Sequence, residues 1–170
     1  MKRSYLSAAV LALVMAGAAA PAIMEQYLKE KEGHSLKAYQ DGARIWTDCN
    51  GRAHHDGKPQ RDATAAECQA WLKTEIGRRL QHVHSIIKVP MSEAAWAGVG
   101  SWCFNVGNAG CARSTTVKLL NRGEQVAGCK AILLWRFITR DGTRVDCSTK
   151  QPFCAGLWDR RNGEAELCTL

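Results

Sequence analysis

A chain of 170 residues that is 46% hydrophobic and 23% charged has the makeup of one globular domain. That composition excludes a disordered chain, a collagen-like fibre and a multi-span membrane protein. The net charge of +7 suits an anionic partner, whether nucleic acid, membrane surface or cell-wall polymer, and does not choose among them.

The chain opens with a basic pair, Lys2 and Arg3, and then residues 4–24 carry no charge at all. Twenty-one residues are enough to cross a bilayer as a helix. Eight of them are alanine, however, with Ser4, Ser7, Gly17 and Pro21 among the rest, so the stretch is only weakly apolar. Small residues at 18–20 and 20–22 also fit a cleaved secretory signal, although Pro21 sits awkwardly at both sites. Either way, residues 25–170 are exported.

Residues 25–34 read as a short amphipathic helix stopped at Gly33. Across 36–59 the helical period gives way to Asp41-Gly42, Asn50-Gly51 and Asp56-Gly57, which predicts a small antiparallel sheet of hairpins. Thr64 and Glu67 then spell a capping box. Behind it Leu72, Ile76, Leu80, Val83 and Ile87 mark a long helix ending before Pro90. Ser92 opens a helix running towards Phe104, and Ser114 opens another that ends at Gly123. Helices are predicted again over 127–137 and 157–167, with a polar loop over 140–153 between them. Two lobes joined by one long helix leave a cleft, the usual place for an extended ligand.

Eight cysteines stand at 49, 68, 103, 111, 129, 147, 154 and 168, and no pair has C-x-x-C spacing. An even number without a metal pattern predicts disulfides and an oxidising compartment. Local pairs such as Cys147–Cys154 are expected. The export signal and the cysteines agree, and together they argue against a cytosolic nucleic-acid binder.

Acidic residues are few enough to audit. Glu32, Asp41 and Thr47 form E-x8-D-x5-T across a helix end and a hairpin. Glycoside hydrolysis uses one carboxylic acid to protonate the leaving oxygen and a second carboxylate opposite it. A hydroxyl such as that of Thr47 is suited to holding a water. Plainer readings stay open on spacing alone: Asp41 as a hairpin former, Glu32 as one more solvated charge, and Thr47 as an ordinary strand residue.

At Glu32-Gly33, Ala38-Tyr39-Gln40-Asp41 and Trp46-Thr47-x-Cys49-x-Gly51 the sequence resembles the phage-type lysozymes of glycoside hydrolase family 24. Further matches follow in order. They are Thr64-x-x-Glu67-Cys68, Phe104-Asn105-Val106-Gly107, Ser114-Thr115, Leu120-Asn121-x-Gly123 and Gly156-Leu157-x-x-Arg160-Arg161. The resemblance implies an α+β class: a mainly helical, two-lobed lysozyme-like fold. A small antiparallel sheet would lie in the N-terminal lobe, with a long inter-lobe helix. It implies a muramidase that hydrolyses the β-1,4 bond between N-acetylmuramic acid and N-acetylglucosamine, with inversion. By the same resemblance Glu32 is the general acid, Asp41 the second carboxylate and Thr47 the residue positioning water. Arg161 is then the candidate arginine beside the acid. Two departures are visible: Asn50-Gly51-Arg52-Ala53-His54-His55 replaces a G-H-T-like turn, and the 143–153 loop is expanded.

Residues 4–24 are similar to the anchors of signal-anchor-release endolysins, with no cysteine inside the anchor. Residues 1–24 are therefore expected to be an anchor and 25–170 the catalytic domain. The enzyme is expected to be tethered to the inner membrane and then periplasmic in a Gram-negative host. Its partners are peptidoglycan and, transiently, the membrane. It is expected to act as a monomer, with no nucleic acid, metal or cofactor. His54 and His55 read as a polar loop, Trp71, Trp96 and Trp135 as core, and Trp46 as the tryptophan nearest the cleft. Two rival functions are kept: a lytic transglycosylase acting on the same bond, and a non-enzymatic wall- or membrane-binding basic protein.

Overall fold

The computed structural model describes residues 4–33, 35–40, 44–140, 142–149 and 152–170. The uncharged N-terminal stretch is split rather than continuous. Ser7 caps α1 (Ala8–Met15) by accepting from the Val10 N–H at 3.1 Å. Gly17 then turns the chain at φ +67°. Pro21 sits in the first turn of α2 (Ala20–Lys31), where a missing N–H does no harm. α2 therefore begins at Ala20, five residues earlier than the charge pattern suggests. Among the described residues no helix is long and apolar enough to cross a membrane.

The stretch is built into the fold. Leu6, Val10, Ala20, Ile23 and Met24 all belong to the main hydrophobic core. Three carboxylates from elsewhere hold it by hydrogen bonds. Glu166 accepts from Ser4 Oγ at 2.6 Å and from the Tyr5 N–H at 2.8 Å. Glu30 accepts from Ser7 Oγ at 2.7 Å. Glu93 accepts from the Ala20 N–H at 2.6 Å, and so caps a helix whose own N-cap, Ala19, offers no side-chain acceptor.

A three-stranded antiparallel sheet follows, β1 (Ser35–Gln40), β2 (Trp46–Cys49) and β3 (Arg52–His54), in that order. Tyr39 pairs with Thr47, and Thr47 with Ala53. Asn50-Gly51 joins β2 to β3 as predicted, Asp41-Gly42 lies outside the described residues, and Asp56-Gly57 follows the last strand of this sheet. α3 (Ala65–Ile86) starts at the predicted capping box: Thr64 Oγ1 accepts from the Glu67 N–H, and the Glu67 carboxylate takes the Thr64 N–H at 2.8 Å. Its buried stripe of Cys68, Leu72, Ile76, Leu80 and Val83 faces the core.

α4 (Glu93–Ala112) is the centre of the helical lobe and is buried at every position from Ala94 to Cys103. It runs eight residues beyond Phe104, because its break comes at Gly107 (φ +78°) and the chain resumes a helical turn after it. A Cβ on Gly98 would stand 2.7 Å from the Cys168 nitrogen and the Glu164 carbonyl of α7 (Ala155–Thr169), so that glycine lets the two helices touch backbone to backbone. α5 (Thr115–Leu120) and α6 (Gln125–Ala131) close the lobe.

The predicted 127–137 helix ends early, passing through a 3-10 turn at Ile132–Leu134. The predicted polar loop instead holds a hairpin, β4 (Phe137–Arg140) paired with β5 (Thr143–Asp146). Gly142 at φ +75° lies at its turn.

All eight cysteines are paired: Cys49–Cys68, Cys103–Cys111, Cys129–Cys168 and the expected Cys147–Cys154. The first ties β2 to α3, the second spans the Gly107 break, and the third ties α6 to the end of α7.

Candidate active site

α2 ends at Glu32, whose N–H still bonds the Leu28 carbonyl at 2.8 Å while its own backbone has turned extended (φ −89°, ψ 140°). The side chain is therefore held at a helix terminus, 22% exposed, at the entry to the sheet. Arg160 Nη1 donates to Glu32 Oε1 at 2.6 Å. The sequence points to Arg161 for this place, and the structure corrects it. Arg161 turns away from Glu32 and bonds the Trp135 carbonyl at 3.0 Å, Asn105 and Glu164.

Arg160 is buried, which works against its charge. Glu164 and then Glu32 more than restore it, and the guanidinium is held above its ordinary range. Glu164, fully buried, bonds Arg160 Nε at 2.9 Å and Ser101 Oγ at 3.0 Å. Tyr27 of α2 packs against the same place, its hydroxyl donating to the Arg160 carbonyl at 2.8 Å. Burial first, and Glu164 next, push that hydroxyl far above the usual phenol range. The i, i+4 spacing of Arg160 and Glu164 on a helix is the signal that sequence reading passed over.

Thr47 lies in the middle of β2, 5% exposed, its hydroxyl on the Ile45 carbonyl at 3.2 Å. Asp41 follows Gln40, the last residue of β1, in sequence, and lies outside the described residues. Alternation along β2 puts Trp46 on the face opposite Thr47, with Lys58 Nζ 5.2 Å from its ring centre. Trp46 is thus no close companion of Thr47. Trp96 is buried, while Trp71 and Trp135 are half-buried against the core.

A second ionic cluster was not foreseen. Asp48, 1% exposed, takes both Arg52 Nε and Nη2 at 2.6 Å and has His54 Nε2 at 3.0 Å. Burial pushes its carboxyl up, but the hydrogen bonds from Arg52 and the nearby His54 imidazole outweigh that and hold it below its usual value. His54 is accordingly a partner of Asp48. Among the described residues no group of three or more His, Cys, Asp or Glu is placed to hold a metal ion.

Residues 29–164 match the phage lysozyme family. The chain belongs to that family. It is a glycoside hydrolase of the lysozyme type, with the α+β lysozyme fold. Among its relatives is the SAR-endolysin of Escherichia phage N15, 43% identical over 97% of this chain and 94% of the relative. The endolysin of Escherichia coli O157:H7 phage FAHEc1 superposes with a TM-score of 0.73 at 29% identity, over 85% of this lysozyme and 89% of that chain. The active form of the P1 phage endolysin Lyz shares the fold at TM-score 0.68 and 21% identity, over 98% of this chain and 96% of that one. That last likeness extends over α1 as well.

Proposed function

We propose that this lysozyme is an endolysin in which Glu32, Asp41 and Thr47 carry hydrolysis of the β-1,4 bond between N-acetylmuramic acid and N-acetylglucosamine. Glu32 protonates the leaving glycosidic oxygen, Asp41 serves as the second carboxylate, and the Thr47 hydroxyl positions the attacking water. The observation that supports this most directly is the setting of Glu32. It is a carboxyl fixed at a helix end, partly open to solvent, and oriented by a buried arginine that is itself anchored from behind. Thr47 lies on β2 of the adjoining sheet, and Asp41 stands between Glu32 and Thr47 in the sequence at the family's spacing.

The test is Glu32→Gln, which keeps the shape and removes the proton donor. It is expected to fold like the parent, with an unchanged melting temperature within a few degrees, and to lose wall hydrolysis by at least about 100-fold. Strong lysis by the folded variant would refute the assignment and favour a non-enzymatic lytic protein. Muropeptide products ending in an anhydro sugar would instead identify a transglycosylase.

The same reading covers control. Residues 1–24 serve as the anchor and 25–170 as the catalytic part, first held at the inner membrane and then released as a periplasmic monomer. Support comes from the uncharged run of residues 4–24 and from the SAR-endolysin relatives. In the folded form α2 runs straight through this boundary. While residues 4–24 span a bilayer, Val10, Ala20, Ile23 and Met24 are withdrawn from the core they fill here. The helix that ends in Glu32 is then missing its first turn and much of its packing, and the tethered enzyme is silent.

A further inference from the structure

Glu164 has no exposed surface, and the proposed hydrolysis does not require it to touch the glycan. Its carboxylate is nevertheless fully engaged. Oε1 accepts from Ser101 of α4 at 3.0 Å and from Arg160 Nε at 2.9 Å, and Oε2 accepts from Arg161 Nη1. Tyr27 from α2, whose hydroxyl donates to the Arg160 carbonyl, is a further titratable group that interacts with Glu164. Arg161 is steadied in turn by Asn105 and the Trp135 carbonyl. Two guanidiniums and two carboxylates thus form one chain, Arg161–Glu164–Arg160–Glu32, that runs from the core of the helical lobe to the mouth of the site.

Burying such a chain is unfavourable compared with packing apolar side chains of the same size. Stability alone does not explain it. What it supplies is control over Arg160. With Nε committed to Glu164, the plane of the guanidinium is fixed and Nη1 is the nitrogen that meets Glu32. Arg160 also divides its charge between two carboxylates. A cation facing one carboxylate alone favours the ionised form, whereas a general acid has to take back a proton after each turnover. Lys29, Glu30 and Lys31 precede Glu32 on its own helix, Asp159 of α7 lines one cavity with Glu30 and Lys31, and Asp41 lies outside the described residues.

We infer that Glu164 is a positioning residue for the reaction: it orients Arg160 on Glu32 and shares the guanidinium's charge with it. This rests on Glu32 being the acid, and the experiment separates the two claims. The rate of clearing of purified peptidoglycan is measured across pH for the full chain and for Glu164→Gln, Arg161→Gln and Ser101→Ala. Glu164→Gln leaves Arg160 wholly to Glu32, and the alkaline limb of the profile moves down by about one pH unit. Arg161→Gln leaves Glu164 more fully to Arg160 and moves the same limb up. Ser101→Ala removes a hydrogen bond without a charge, and the limb stays in place whatever happens to stability.

Opposite shifts in the two charge variants establish the role. Limbs that coincide with the parent's, or a Ser101→Ala limb that moves as far as that of Glu164→Gln, overturn it. If Glu164→Gln does not fold, Arg161→Gln decides by itself: an unmoved or lowered limb overturns the inference. Failure of the underlying reading shows separately, as lysis by Glu32→Gln.

Discussion

Glu67 shows how much a single exposed carboxylate does at a helix start. Its hydrogen bond from Arg61, and next the Thr64 N–H, pull its pKa from 4.5 down to about 2. A depressed carboxyl contributes stability that is complete above the unfolded value and disappears as pH falls through the folded one. The melting temperature of the parent should therefore exceed that of Glu67→Gln above about pH 4.5, with the gap closing towards pH 2. A gap that persists at pH 2 would mean the glutamine disturbs α3 in some other way. The capping box that creates this effect was legible from Thr64 and Glu67 alone, because both partners lie within one turn. The arginine beside Glu32 was not. Successive helix residues point about 100° apart, so a motif ending in Arg160-Arg161 leaves open which of the two faces α2. That phase is set by the contact of Gly98 with the α7 backbone and by Tyr27 over Gly163, neither of which a local pattern encodes.

Elements followed the same division between local and distant causes. Helices with a serine or threonine cap and a long apolar stripe were readable, and so was the first sheet with its turn dipeptides. The β4–β5 hairpin was missed although Asp141-Gly142 lies between Phe137-Ile138-Thr139 and Thr143-Arg144-Val145. The charges around that dipeptide masked a β-branched pattern of normal strength. The two facing strands carry two arginines and stack both on aromatic rings instead, Arg144 at 3.8 Å from Phe137 and Arg140 at 4.2 Å from Phe153.

If residues 1–24 are the released anchor, the full-length chain should be found first membrane-bound and inactive, then soluble and active at unchanged length. Cell fractionation with mass determination of each form checks this. A mature product trimmed near Ala20 or Ala22 would mean a conventional signal peptide. It would also leave the core without Leu6 and Val10 and α2 without its first turn.

For the molecule as a whole, four disulfides do what a small two-lobed core does less well. Cys129–Cys168 closes a separation of 39 residues and Cys147–Cys154 one of 7. On loop entropy alone the first is worth about 4 kcal/mol and the second about 2.5 kcal/mol. Replacing both cysteines of each pair with serine should thus lower stability more for the Cys129–Cys168 pair, as read by chemical denaturation. An equal loss would show that local packing around the bridges dominates. Thiol titration of the exported, denatured protein should find almost no free sulfhydryl. The presence of disulfides was legible from the cysteine count, but the pairing was not, since Cys49–Cys68 and Cys129–Cys168 join elements that only the finished fold brings together and Cys103–Cys111 depends on the break at Gly107.

Glu93 bonds the first N–H of α2, and with the buried Val10 and Ile23 it makes the N-terminal residues part of the folded enzyme. In the proposed life of the enzyme each of them is read by two solvents in succession. Val10 and Ile23 must suit both lipid and a close-packed interior, so neither more bulk nor more polarity is free to accumulate there. Ala8, Ala9 and Ala12 lie on the outer face of α1 and answer to lipid alone, because in the folded enzyme they face water. A lineage under selection for the moment of lysis therefore has a set of positions on which to adjust timing without touching the catalyst, and it is the plainest part of the sequence, the alanines.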